Sequence, residues 1–102
     1  MERAAAEELS ELPEDMQARF LRIAELLEAY GPFEVGTPHV APLGQGLWEI
    51  RMRGKSGIAR ALFEIHTGRQ LAIGRVFAKK TQKAPAREIR LTVRRLKETD
   101  DG

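Results

Sequence analysis

Apolar residues recur at helical spacing in the first third of the chain and at alternate positions in the middle third. Ala5, Leu9 and Leu12 lie four and three apart, one stripe of a helix. Pro13 cannot continue that helix but suits the start of the next, where Glu14 and Asp15 fall in the favoured first turn. Met16, Phe20, Ile23, Leu27 and Tyr30 then form a continuous apolar face, ended by Gly31 and Pro32. The Gly- and Pro-rich stretch 33–46 reads as loop. Leu47–Arg53 alternates, with Trp48, Ile50 and Met52 on one side and Glu49, Arg51 and Arg53 on the other. Ala59–His66 and Gln70–Ala78 read as two further strands, joined through Gly54–Gly57 and Thr67–Arg69. A last helix begins near Pro85, with Ile89, Val93 and Leu96 as its apolar stripe. Arg87, Arg90, Arg94 and Lys97 make a basic stripe elsewhere on it. The predicted order is α-α-β-β-β-α, an α+β domain over residues 1–102 with helices segregated from a small antiparallel sheet and a frayed tail at 98–102.

Composition narrows the function classes. A chain of 102 residues supports one modest core. The absence of cysteine excludes disulfides, thiolate catalysis and cysteine-based zinc sites. No signal peptide and no run of about 20 apolar residues is visible, so a soluble cytoplasmic protein without membrane contact is expected. The net charge of +2 conceals an asymmetry. Residues 1–49 carry three Lys/Arg against ten Asp/Glu, a charge of −7, and residues 50–102 carry +9. Such a division points to nucleic acid or an acidic partner.

Two basic clusters are the candidate chemistry. Lys79, Lys80 and Lys83 stand between the third strand and the last helix, whose N-terminal N–H groups add partial positive charge. They suit a phosphate, or they merely solubilise a sheet edge. Arg51, Arg53, Arg60 and Arg75 fall on one sheet surface if the strands pair as a meander. Four such groups repel unless an anion joins them, or unless Glu49, Glu64 and Glu88 pair with them. The six aromatics mostly have structural homes, and two histidines without cysteines make no zinc site. No carboxylate spacing matches a metal loop, and Gly44-Gln45-Gly46 is a turn, not a nucleotide site. No metal or cofactor is expected.

The blocks Gly46-Leu47-Trp48-Glu49-Ile50-Arg51, Arg60-Ala61-Leu62-Phe63 and Phe77-Ala78-Lys79-Lys80-Thr81-Gln82-Lys83-Ala84-Pro85, with Glu88-Ile89, resemble the RelE/HigB-type toxins of bacterial type II toxin–antitoxin systems, in particular their phage-derived branch. The resemblance runs from about Leu9 to Leu96. It implies a compact α+β fold with a sheet of three or four strands, and metal-independent endoribonuclease activity on mRNA, commonly at the ribosome. It also implies a cognate antitoxin, usually a helix-turn-helix protein. By position, Arg51, Arg60, Lys79 and Lys80 match the catalytic basic set, Arg60 being the family's most regular arginine. Arg53, Arg75, Lys83 and Arg87 are then RNA-phosphate contacts. The physical demands agree: a base on the 2′-OH, a proton for the leaving oxygen, and cations around the phosphorane. A lysine among like charges has a lowered pKa and so becomes a usable base.

This sequence departs from the pattern in three places. Arg75 stands where many relatives carry His, Ala86-Arg87 where some carry Tyr, and Glu2–Glu8 reads as helix where a first strand is usual. Either that strand is missing or the start lies downstream of it. Its loss predicts a sheet edge open to an antitoxin or a second copy. Two other classes fit the same scaffold: a gyrase-directed toxin resembling the ParE group, and a module that binds nucleic acid or protein without catalysis.

Overall fold

The computed structural model describes residues 1–78 and 86–101, with side chains through Glu98. Its elements are α1 (Arg3–Ser10), α2 (Glu14–Tyr30), a single turn α3 (Pro32–Val35), β1 (Val40–Gly44), β2 (Leu47–Gly54), β3 (Gly57–His66), β4 (Gln70–Ala78) and α4 (Ala86–Asp101). The strands form one antiparallel sheet in the order β1-β2-β3-β4. The fold is α+β, as the patterning predicts, and α4 continues to Asp101 through the segment expected to be a tail. No described helix is long and apolar enough to cross a membrane.

The sheet gains a strand where a loop was expected. Val40 and Ala41 are buried against β2, and the two-residue turn Gln45-Gly46 closes the hairpin. Gln45 and Gly46 have φ of 56° and 82°, the left-handed pair that matches the twist of a two-residue hairpin. Pro42 masked the strand in the sequence, yet an edge strand tolerates a residue without an N–H.

One face of the sheet carries Val40, Ile50, Met52, Ala59, Ala61, Phe63, Ile73 and Val76, which pack with Met16, Phe20, Ile23 and Leu27 of α2 and Ala5 of α1 into the core. The alternation of β2 and β3 and the 3-4 stripe of α2 produce this layer directly. Asp15 fixes its depth: Oδ2 accepts from the Lys55 N–H (2.8 Å), so the start of α2 is tied to the β2–β3 hairpin. Gly54 leaves the room for this, since a Cβ there meets Asp15 Oδ2 at 2.7 Å. At the other end of α2, Arg69 of the β3–β4 turn donates to the Ala29 carbonyl.

α4 covers part of the opposite face. Its buried line is Glu88, Thr92 and Leu96, not the expected Ile89, Val93 and Leu96; Val93 is 46% exposed. Two polar residues can lie inward because both are satisfied. Thr92 Oγ1 donates to the Glu88 carbonyl (2.8 Å), and the Glu88 carboxylate receives Arg75 Nε and Nη2 at 2.8 and 3.1 Å. Gly74 lets the helix approach, for a Cβ there lies 2.9 Å from Leu96 Cγ.

The expected open edge is closed at β4. The Glu2 N–H donates to the Ile73 carbonyl (3.2 Å), the Val76 N–H donates to Glu8 Oε1 (3.1 Å), and Arg95 Nη1 donates to the Gly74 carbonyl (3.1 Å). Helix α1 thus occupies the border where a strand was missed. On the β1 border, the Val40 N–H is bonded to Gly36 (3.0 Å) and Pro42 has none. The stretch Ile73–Val76 of β4 is thus engaged by α1 and Arg95, and described donors on the β1 border are few.

Glu8 is the centre of the α1 attachment, bonded to Arg75 and Arg95 as well as Val76. Burial by itself raises its pKa. The hydrogen bonds from Arg95 and Val76 and the charges of Arg75 and Arg95 outweigh that and hold the carboxyl below its ordinary value near 4.5. A carboxylate depressed in the folded state stabilises above its unfolded pKa and loses that contribution as pH falls through the folded one. Glu8→Gln is therefore expected to cost about 1–3 kcal/mol at neutral pH. Urea unfolding below and above pH 4.5 will show a shallower acid loss in the variant than in the parent.

Candidate nucleic-acid interface

The second face of the sheet is built from the polar half of the β2 alternation. Arg51 lies directly opposite Arg60, Glu49 opposite Leu62, and Leu62 opposite Arg75, so Arg51, Arg53, Arg60 and Arg75 share this face as their spacing predicts. Two guanidiniums across a strand pair repel. Glu49 resolves the conflict. Its Oε1 accepts from Arg51 Nε at 2.8 Å, and its Oε2 lies 3.2 Å from Arg60 Nη1.

Burial divides the pair. Glu49 and Arg60 are each 1% exposed, whereas the Arg51 side chain keeps 35% of its surface. Burial pushes the Arg60 guanidinium down from its ordinary value; Glu49 opposes this and Arg51 adds to it. Arginine stays charged regardless, so a fixed cation lies beneath the surface with its carboxylate. A phosphate arriving at this face meets Arg51 first, with Arg60 behind it.

Arg75 does not join that cluster. Its guanidinium is held by Glu88 and Glu8 and stands 5.5 Å from the Phe77 ring centroid. The Glu88 hydrogen bond leads in raising its pKa, burial opposes, and Glu8 adds to the rise. The residue expected to contact phosphate is thus engaged by two carboxylates that clamp α1 and α4 to β4. Of the three carboxylates weighed as partners, Glu49 and Glu88 pair with the arginines, while Glu64 lies 2.9 Å from His66. Arg87 is exposed at the start of α4, on the same basic stripe as Arg90, Arg94 and Lys97, all exposed. Lys79, Lys80 and Lys83 lie outside the described residues. The chain reaches them from Ala78, which pairs with Ala59, the neighbour of Arg60.

One feature of this face carries no signal in the sequence. β1 pairs β2 only from Leu47 to Ile50, so the outer side of β2 from Met52 onward has no strand beside it. A cleft of about 130 Å³ opens there, lined by Arg19 of α2, Pro38, His39, Arg51, Arg53 and Ile58. Arg51 donates its backbone N–H to the His39 carbonyl (2.8 Å), which holds the loop at the cleft's rim. Arg19 is separated from Arg51 by 32 positions, and no local motif signals their meeting. Among the described residues, no group of three or more His, Asp or Glu is arranged to hold a metal ion.

The family model of phage-derived Gp49-like proteins (DUF891) matches residues 7–97. The chain belongs to this family, a RelE/toxin-like one, and the match spans both the helical layer and the arginine-bearing face. No curated protein matches the chain closely enough to count as a relative.

The Glu49–Arg60 pair is open to a direct test. Removing one partner of a buried pair strands the other charge, so Glu49→Ala is expected to cost about 3–5 kcal/mol in urea unfolding. Glu49→Leu combined with Arg60→Met is expected to recover most of that loss, because an apolar pair of similar volume avoids both desolvation penalties.

Proposed function

We propose that this toxin-like module cleaves mRNA without a metal, as the resemblance to RelE/HigB-type toxins implies, and that a cognate antitoxin restrains it. The observation that supports the reading is the Arg51–Glu49–Arg60 constellation. It is a half-exposed guanidinium locked to a buried, charged partner on the sheet face, at the point where the chain runs on toward Lys79 and Lys80.

In this reaction the 2′-oxygen loses its proton to a base, attacks the adjacent phosphorus, and displaces the 5′-oxygen, which takes up a proton. A 2′,3′-cyclic phosphate and a 5′-hydroxyl are the products. Arg51 meets the non-bridging phosphate oxygens through a planar fork that suits them. Glu49 and Arg60 set its position in advance, so the donor does not reorganise as charge develops on the phosphorane. Lys79 or Lys80 supplies the base or a further phosphate contact. Arg75, committed to Glu8 and Glu88, takes no part.

Binding without cleavage is the second reading, favoured by the near-complete burial of Arg60. Induction in bacteria with mapping of mRNA 5′ ends and of DNA breaks separates the possibilities. New transcript ends are expected in the parent, with cleavage lowered on the order of 10²-fold in Arg51→Ala and in Lys80→Ala. DNA breaks with intact mRNA would point instead to a gyrase-directed toxin, and intact mRNA and DNA to the binding module.

A further inference from the structure

The chain's described ion pairs use Arg51, Arg60, Arg75 and Arg95, with His66 on Glu64. Arg19 and Arg53 are exposed and have no ion-pair partner among the described residues. These two arginines line the same cleft, and Arg51 and His39 line it with them. No carboxylate is among its described lining residues. The nearest acid on α2 is Asp15, one turn before Arg19. Its two oxygens already accept from the Met16 and Lys55 N–H groups, at 3.0 and 2.8 Å.

Arg19 and Arg53, neither in a described ion pair, line a small concavity with Arg51, whose charge Glu49 shares, so an anion entering it is favoured. The convergence has a structural origin. Arg51 and Arg53 project from the same face of β2, on the stretch that runs past the end of its pairing with β1. Arg19 comes from α2, which Asp15 ties to the β2–β3 hairpin, and His39 comes from the loop bonded to Arg51. Guanidinium forks match phosphate oxygens, and the space suits one such group rather than an extended ligand.

We propose that this cleft is a second phosphate site, holding a neighbouring backbone phosphate of the same single-stranded RNA that reaches Arg51. The proposal rests on the reading of the sheet face as an RNA surface, and it adds Arg19 and His39 to that surface. Arg51 is common to both sites, through its Glu49-bound position on the sheet face and its place in the cleft lining. A strand lying across β2 therefore places successive phosphates on either side of one guanidinium. Binding at the cleft fixes the register of the RNA, while the Glu49–Arg60 pair remains undisturbed beneath.

The test is fluorescence anisotropy of the full chain with a short, fluorescein-labelled, fully 2′-O-methylated RNA, which binds without being cut. Arg19→Ala is expected to bind roughly fourfold more weakly at about 0.15 M salt and to reduce the log–log salt slope by about 0.7, the loss of one single-strand phosphate contact. His39→Ala weakens binding in the same direction. Arg22→Ala, exposed on α2 but outside the cleft, leaves affinity and slope unchanged. Circular dichroism confirms that each variant is folded. Parental affinity and slope in Arg19→Ala, an equal loss in Arg22→Ala, or no RNA binding by the parent overturns the site. Cleavage of unmodified RNA is read separately. A chain that binds in this way and cuts nothing keeps the cleft and loses the nuclease reading.

Discussion

One carboxylate makes the arginine face possible. The β2–β3 register sets Arg51 directly across from Arg60, an arrangement that opposes sheet formation by like-charge repulsion. Glu49 lies two residues from Arg51 on the same face and reaches both guanidiniums. The pairing holds in register two strands that α2 covers from the other side. It also buries a charged pair, which is expensive and justified energetically only while both partners are present. The consequence is a rigid cationic surface in which Arg51 is presented from a fixed base rather than on a free tether.

The same logic runs through the whole chain. The −7 half and the +9 half meet at three carboxylates among the described ion pairs. Glu2, which caps α1, and Glu8 within it meet Arg95 and Arg75, and Glu49 meets Arg51 and Arg60. These pairs do mechanical work. They fasten α1 over the border of β4, fasten α4 to the second sheet face, and hold β2 to β3. Among the exposed arginines, Arg19 and Arg53 share one cleft and Arg87, Arg90 and Arg94 share the outer stripe of α4.

Much of the architecture was legible because its signals are local. The stripe from Met16 to Leu27 and the alternation of Leu47–Arg53 depend only on side-chain periodicity. That alternation and the meander connections were enough to place four arginines on one face. β1 was hidden because Pro42 and Gly44 argue for a loop, while its pairing to β2 satisfies the few donors it has. The inward line of α4 was misread because Thr92 and Glu88 look exposed until their partners are known, and one of those, Arg75, lies on another element. The divided fates of the arginines follow the same rule. Burial of Arg60, capture of Arg75 by a glutamate 67 residues away, and the meeting of Arg19 with Arg53 are long-range facts that no window of sequence contains.

The proposed RNA surface lies on the β2–β3 arginine face. Side-chain Nε–Hε NMR of arginine during titration with the 2′-O-methylated RNA tests it most directly, since each guanidinium reports separately. Joint movement of the Arg51 and Arg53 resonances, with Arg60 steady beside Glu49 and Arg75 unmoved behind Glu8 and Glu88, is the predicted result. Shifts confined to Arg87, Arg90 and Arg94 of α4, with the sheet arginines silent, would contradict it.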